Sequence, residues 1–138
     1  MAQAIRPLAL VTGASTGIGL ELAKQAAQHG YDLLIAADEP AIETAATELR
    51  TIGVNVDAVQ ADLSTTEGVD KMLEALRGRD VEALLANAGR GLGKGFLDED
   101  FDRARKVVDT NVTGTIYLIH RVGRAMRARN AGKILITG

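Results

Sequence analysis

A glycine-rich segment between an apolar run and a helical segment constrains the fold of this chain most strongly. Residues 8–11 are all apolar and are typical of a buried strand. The segment Thr12-Gly13-Ala14-Ser15-Thr16-Gly17-Ile18-Gly19 follows, and a helix is predicted over residues 18–29, ended by Gly30. Glycines let backbone N–H groups approach a pyrophosphate, and the helix N-terminus adds partial positive charge. An ordinary strand-to-helix turn is the alternative, but this position favours a phosphate-binding loop.

The rest of the sequence alternates short apolar runs with amphipathic helical segments. Further strands are predicted at residues 33–36, 54–59, 81–86 and 133–137. One helix is predicted to start near Pro40, because proline suits a first turn, and another at the capping-box spacing of Ser64 and Glu67. A long helical region covers residues 98–129, either as two helices or as one with a bend. The alternation predicts an α/β fold, with a Rossmann-like parallel sheet of about five strands and helices on both faces.

Length and composition exclude several classes of protein. At 138 residues the chain fits one domain, residues 1–138, and its 46% apolar and 25% charged residues argue against disorder. A net charge of −2 gives no reason to expect nucleic acid as a partner, and no cysteine is available for disulfides or thiolate metal sites. No metal site is predicted. No apolar run approaches the roughly 20 residues of a membrane span, and residues 1–7 do not resemble a signal peptide, so a cytoplasmic location is expected.

Four motifs occur in the order and spacing of one protein family. They are the TGxxxGxG pattern at residues 12–19, Ala61-Asp62-Leu63, Asn87-Ala88-Gly89, and Asn111 within Asp109-Thr110-Asn111-Val112. With these motifs in this order, the chain resembles the short-chain dehydrogenase/reductases over its whole length. The resemblance implies the strand order 3-2-1-4-5 and a nicotinamide-dependent oxidoreductase with a small alcohol or carbonyl substrate.

The same resemblance implies roles for individual residues. Asn111 corresponds to the helical asparagine that the family counts among its catalytic residues. The implied cofactor-binding residues are Gly13, Ser15, Thr16, Gly17, Ile18, Gly19, Asp38, Asp62, Leu63, Asn87, Ala88 and Gly89. Two of these have structural alternatives, since Asp62 could be a turn or N-cap acid and Asn87 could belong to a left-handed turn.

The choice between NAD and NADP depends on the residues after the second strand, where an acid pairs with a ribose hydroxyl. Ala37 occupies the usual position of that acid, and Asp38 and Glu39 follow it. These acids would repel a 2′-phosphate, so NAD is favoured over NADP. The alternative is that Asp38 only caps the helix that starts near Pro40.

Three further catalytic residues of the family have no counterpart in the sequence. The resemblance implies a serine directly after the fifth strand and a Tyr-x-x-x-Lys pair beyond it, whereas the chain ends at Gly138. Neither Tyr31 nor Tyr117 has a lysine four residues later. The chain is therefore interpreted as an inactive coenzyme-binding portion, truncated after strand five, of an oxidoreductase. A non-catalytic NAD-binding module and an interaction protein with the same fold remain alternatives.

The truncation also predicts an incompletely covered surface. Residues 107–126 contain too many apolar side chains for one stripe facing the sheet, and residues 134–136 would form an apolar sheet edge. We therefore expect self-association to a homo-oligomer, with two-fold symmetry.

Overall fold

The part of the chain that the structure describes forms a sheet of five parallel strands, and their order is the predicted one. The computed structural model describes residues 5–138. The strands are β1 (Leu8–Thr12), β2 (Asp32–Ala37), β3 (Val56–Gln60), β4 (Val81–Ala86) and β5 (Lys133–Ile136). They are arranged β3-β2-β1-β4-β5, each parallel to its neighbours. The fold is therefore Rossmann-like, as predicted, with the carboxyl ends of all strands at one edge.

Helices cover both faces of the sheet. Alternate residues of β1 belong to two different hydrophobic clusters, one on each face. The helices are α1 (Gly17–Gln28), α2 (Ala41–Arg50), α3 (Thr66–Glu74), α4 (Phe101–Val108) and α5 (Thr115–Arg129). Ala9 and Val11 pack in the cluster that contains buried residues of α1 and α2. Leu8 and Leu10 pack in the cluster that contains buried residues of α3 and α5. Period-two alternation along this buried strand thus directs successive side chains to opposite faces of the sheet.

Local details at two helix starts differ from the prediction. Ser64 was expected to cap α3, but Thr65 does so, accepting a hydrogen bond from the Gly68 amide at 3.0 Å. The prediction of Ser64 as the cap was wrong because its hydroxyl instead donates to Asp62 Oδ1 at 2.5 Å. Pro40 directly precedes α2 instead of lying within its first turn.

The long helical region is continuous from α4 to α5 but contains a widened turn. A 3₁₀ turn covers Phe96–Asp98, and a π-helical segment, Asp109–Gly114, joins α4 to α5. Gly114 makes the close packing possible, because a Cβ there would overlap the Leu63 carbonyl oxygen. The Thr115 hydroxyl donates to the Thr110 carbonyl at 3.1 Å and so satisfies one acceptor of the wide turn. π-helical segments are rare in proteins, and those that occur are often at functional sites. The position of Asn111 within this segment is therefore consistent with a functional role.

Apolar surface remains exposed on the side of α4, α5 and β5. Val108, Val112 and Ile116 are about half exposed, at 53%, 48% and 61%. All four residues of β5 are exposed, and β5 pairs with β4 alone in the part of the chain that the structure describes. None of the helices within residues 5–138 is both long and apolar enough to cross a membrane.

Candidate functional site

A cleft of about 330 Å³ lies at the carboxyl edge of the sheet, where the loops after β1, β2 and β4 meet. Its lining residues are Gly13, Ser15, Thr16, Ala37, Asp38, Glu39, Leu63, Ala88, Gly89, Arg90 and Thr110. Ligands of parallel α/β sheets bind outside the carboxyl ends of the strands, at the point where the strand order reverses. In this sheet the order reverses at β1, which is where the cleft lies.

The glycine loop after β1 is held by backbone contacts that only glycine allows. Gly13 has a left-handed backbone (φ +65°), and its amide donates to the Ala36 carbonyl at 2.8 Å. Gly19 is buried, and a Cβ there would overlap the Gly13 carbonyl oxygen and lie 2.5 Å from Asn87 Nδ2. Gly19 therefore permits α1 to pack against the loop, which is the role of the third glycine in dinucleotide-binding turns.

Gly17 differs from Gly19, because the described residues leave room for a side chain at its position. Gly17 is left-handed (φ +59°), and a Cβ built on it would meet no atom of the described residues within 4 Å. It opens α1, whose N-cap residue Thr16 is extended and makes no side-chain cap hydrogen bond within residues 5–138. The first turn of α1 contains no acidic residue, so no carboxylate there opposes the positive end of the helix dipole. Backbone donors at the start of α1 are thus free to bind an anion.

The Thr12 side chain joins the carboxyl ends of β1 and β4. It is almost fully buried, at 1% exposed, and its hydroxyl oxygen accepts hydrogen bonds from the Asn87 and Ala88 amides, both at 3.0 Å. The Asn87 side chain extends this contact, since its Nδ2 donates to the Gly13 carbonyl at 3.3 Å and its Oδ1 accepts from the Thr137 hydroxyl at 2.7 Å. Asn87 therefore links the loops after β1, β4 and β5 and holds the cleft from beneath.

The acids after β2 are paired with groups from other loops. The Asp38 carboxylate forms an ion pair with the Arg90 guanidinium, across the mouth of the cleft. The Glu39 carboxylate accepts a hydrogen bond from the Ser15 hydroxyl of the glycine loop. Asp38 makes no side-chain cap to α2 within the described residues, so the helix-cap interpretation of Asp38 was wrong.

Asp62 and Leu63, after β3, lie between two close-packed helices. A Cβ at Gly68 would overlap the Asp62 carbonyl oxygen, just as one at Gly114 would overlap that of Leu63. The Asp62 carboxylate accepts from the Ser64 hydroxyl and amide and lies 3.6 Å from Lys106 Nζ. The hydrogen bond from the Ser64 hydroxyl is the main cause that holds the pKa of Asp62 below its usual value of 3.8, against the effect of partial burial. Leu63 lines the cleft, whereas Asp62 lines an adjoining depression.

Asn111 is exposed and holds the loop after β4 by its side chain. Its Oδ1 accepts from the Arg90 amide at 2.7 Å, and its Nδ2 donates to the Arg90 carbonyl at 2.9 Å. Asn111 does not itself line the cleft among the described residues, but Arg90, whose backbone it holds, does. A primary amide matches one backbone N–H and one C=O, so this pairing positions Arg90 beside Asp38.

Thr110 supplies a buried hydroxyl that lacks a partner. It is 6% exposed and lines the cleft, and within residues 5–138 its Oγ1 has no hydrogen-bond partner. Buried hydroxyls without a partner are uncommon, and each calls for an explanation such as a bound ligand or water. Together with the open face of Gly17 and the backbone donors of α1, this hydroxyl fits a bound phosphate-containing nucleotide.

Most of the residues predicted from the sequence are brought together here. Seven of them line the cleft: Gly13, Ser15, Thr16, Asp38, Leu63, Ala88 and Gly89. Gly17, Ile18, Gly19, Asn87 and Asn111 surround or support it, and Asp62 lies in the adjoining depression. Sequence reasoning missed Thr12, Thr110 and Arg90, although Thr12 and Thr110 lie inside the motifs that were recognised. No cluster of three or more His, Cys, Asp or Glu side chains suited to a metal occurs among the described residues.

A sheet of this order, with a glycine loop opening into a cleft at the reversal point, defines a Rossmann-like nucleotide-binding fold. The family model of the short chain dehydrogenases matches residues 7–138. The chain belongs to the short-chain dehydrogenase family, which is a family of oxidoreductases.

Several relatives have known activities or bound cofactors. An NADP-dependent mannitol dehydrogenase of Alternaria alternata is 33% identical over 136 residues, which are 93% of this chain and 51% of that protein. The structure of NAD⁺-bound xylitol dehydrogenase is similar with a TM-score of 0.86 at 29% identity, over 96% of this chain and 52% of that one. L-sorbose reductase from Gluconobacter frateurii, complexed with NADPH and L-sorbose, has a TM-score of 0.86 at 30% identity, over 95% and 51%. The chain thus spans about half the length of the relatives it matches, and these relatives use either nicotinamide dinucleotide.

Proposed function

We propose that the cleft binds a nicotinamide dinucleotide, as the coenzyme-binding part of an NAD(P)-dependent oxidoreductase that acts on an alcohol or carbonyl substrate. The observation that supports this most is the buried Thr110 hydroxyl, which lines the cleft and has no hydrogen-bond partner among the described residues. The open space beside Gly17 at the start of α1 adds to it. The relatives with bound NAD⁺ and NADPH give the same expectation for this fold.

Each part of the cleft has a proposed role in holding this coenzyme, which supplies or accepts a hydride when bound. The amides of the glycine loop and of the α1 N-terminus bind the pyrophosphate. Asp38 binds the adenosine ribose, and Asp62 and Leu63 bind the adenine ring. Asn87, Ala88 and Gly89 hold the middle of the coenzyme, and Asn111 fixes the Arg90 backbone beside it.

NAD is proposed to be preferred over NADP. Both acids after β2, Asp38 and Glu39, lie at the cleft, and a carboxylate repels a 2′-phosphate but accepts hydrogen bonds from ribose hydroxyls. The Ser15–Glu39 hydrogen bond keeps the second acid beside the glycine loop.

The experiment that tests this proposal is a calorimetric titration of the chain with NAD⁺ and NADP⁺, on matched glycine variants. Gly17→Ala and Gly30→Ala lie at opposite ends of α1, and both residues are left-handed with no described atom near their Cβ position. Each variant should therefore lose about 1 kcal/mol of stability from backbone strain alone. Only Gly17→Ala should also weaken dinucleotide binding, by tenfold or more. Absence of binding by the unmodified chain, or equal binding by both variants, would contradict the proposal.

We further propose that the 138-residue chain alone has no dehydrogenase activity. Asn111 is its only counterpart of the family's four catalytic residues. Tyr117 does not substitute for the catalytic tyrosine, because its hydroxyl donates to Asp70 at 2.6 Å and accepts from Arg121 at 2.8 Å, outside the cleft. Loss of an acid–base group typically costs about 10²–10⁴-fold in rate. Turnover of a panel of carbonyl substrates by the purified chain would show that the chain is itself an enzyme rather than a dinucleotide-binding module.

A further inference from the structure

The loop after β4 brings a cation to the acid expected to select the cofactor. Arg90 lies 52 positions after Asp38 in the sequence, yet the two side chains form an ion pair across the cleft mouth. The pair is partly shielded, since the Arg90 side chain is 41% exposed and that of Asp38 35%. Asn111 fixes the Arg90 backbone through two hydrogen bonds. The Arg90 side chain therefore extends to Asp38 from a backbone whose position is held.

Two lysines add to the positive charge at the same end of the cleft. A depression of about 450 Å³ adjoins the cleft and shares Asp38 and Arg90 with it. Its lining also includes Lys71 and Lys106, the first donating to the Gln60 carbonyl at 2.7 Å. The charged residues of this depression are thus three cations, Lys71, Arg90 and Lys106, and two acids, Asp38 and Asp62. Because the cations outnumber the acids, the charged residues of this depression have a net positive charge.

We propose that Arg90 determines cofactor specificity, by weakening the discrimination against a 2′-phosphate that Asp38 would otherwise impose. This inference rests on the proposed binding of a nicotinamide dinucleotide. A carboxylate has about four acceptor sites, so Asp38 can accept from Arg90 and from a ribose hydroxyl together. When the ligand carries a 2′-phosphate, the guanidinium can turn from Asp38 to the phosphate, to which it binds well in bidentate geometry. Arg90 would therefore let the chain bind NADP as well, although the acids after β2 favour NAD.

The test compares the Kd values of NAD⁺ and NADP⁺, and of 5′-AMP and adenosine 2′,5′-bisphosphate, for the unmodified chain and three variants. Arg90→Ala should weaken NADP⁺ and the bisphosphate about tenfold and leave NAD⁺ and 5′-AMP within about twofold, as expected for loss of one charge-assisted contact. Arg90→Lys should retain most of the NADP⁺ affinity, since the charge remains. Arg124→Ala removes an exposed arginine of α5 outside the cleft and serves as the control.

The outcomes separate this inference from the function on which it rests. If the unmodified chain binds none of the four ligands, the proposed function and this inference both fail. If it binds them and Arg90→Ala leaves the ratio of NADP⁺ to NAD⁺ affinity unchanged, the inference alone is overturned. A ratio shifted equally by Arg124→Ala would also overturn it, because the effect would then be one of general charge. Circular dichroism of each variant shows whether the fold is retained, and Arg90→Lys supplies the comparison if Arg90→Ala is not folded.

Discussion

The Asn111 side chain pairs with both backbone groups of Arg90, accepting from its amide at 2.7 Å and donating to its carbonyl at 2.9 Å. A residue placed by resemblance in the catalytic set thus also has a structural partner in this chain. The contact connects the π-helical segment between α4 and α5 with the loop after β4. Through the ion pair of Arg90 with Asp38, it extends to the end of β2.

Asn111→Ala should release the loop after β4. The variant loses two hydrogen bonds at an exposed site, so the expected loss of stability is small, about 1 kcal/mol. The sharper readout is amide hydrogen exchange at Arg90, which should become markedly faster. Asn55→Ala removes an exposed amide that donates to Asp32 at 3.3 Å, away from the cleft, and should leave Arg90 exchange unchanged. Unchanged exchange in Asn111→Ala would show that the loop is held by other contacts.

Thr12→Val should destabilise the chain by about 2 kcal/mol or more. The substitution keeps the volume of the side chain but leaves the partly buried Asn87 and Ala88 amides without their acceptor, and the loss of an acceptor costs about 1–3 kcal/mol for a buried donor. Thr12→Ser keeps the hydroxyl and loses one methyl group, for about 1 kcal/mol. Chemical denaturation of the two variants measures the difference. Equal destabilisation would mean that the methyl group stabilises this junction as much as the hydroxyl does, and would contradict the prediction.

The pH dependence of Asp62 follows from its lowered pKa. Because the pKa is lower in the folded chain than in the unfolded one, the stability that Asp62 contributes is present above about pH 4 and is lost as the pH falls through the folded value. The side chain is 45% exposed, so this contribution is below about 1 kcal/mol. An NMR titration of the Asp62 carboxyl carbon should show a larger rise in pKa for Ser64→Ala than for Lys106→Ala. The reverse order would show that the lysine charge is the main cause.

The sequence predicted the parts of this fold that depend on local pattern. Apolar runs identified all five strands, and glycine spacing identified the loop after β1, because both depend on neighbouring residues. Contacts between distant loops were not predictable in the same way. Arg90 was not identified as a site residue, since nothing near it in the sequence indicates that Asp38 lies beside it. The π-helical segment at Asn111 was also not specified, because it depends on packing of Gly114 against the Leu63 carbonyl.

Self-association through the exposed apolar side of α4, α5 and β5 remains a prediction. Val108, Val112 and Ile116 form a stripe at helical spacing, and residues 134–136 of β5 present an exposed apolar sheet edge. The proposed occupant is a second copy of the chain, in a two-fold arrangement. Light scattering should show a dimer or larger species that Ile116→Lys shifts towards monomer, whereas Ile52→Lys, on the far side after α2, should not. A monodisperse monomer of the unmodified chain at high concentration would contradict this prediction.

The central claim is that the cleft at the carboxyl edge binds a nicotinamide dinucleotide, and amide chemical shifts of the isotopically labelled chain test it most directly. Addition of NAD⁺ should shift the amides of residues 13–19 most, followed by those of residues 87–90, because these backbone groups face the cleft or support it. Amides at the opposite end of α1, around Gly30, should not move. Shifts confined to residues outside the cleft, or no shifts at millimolar NAD⁺ and NADP⁺, would contradict the account.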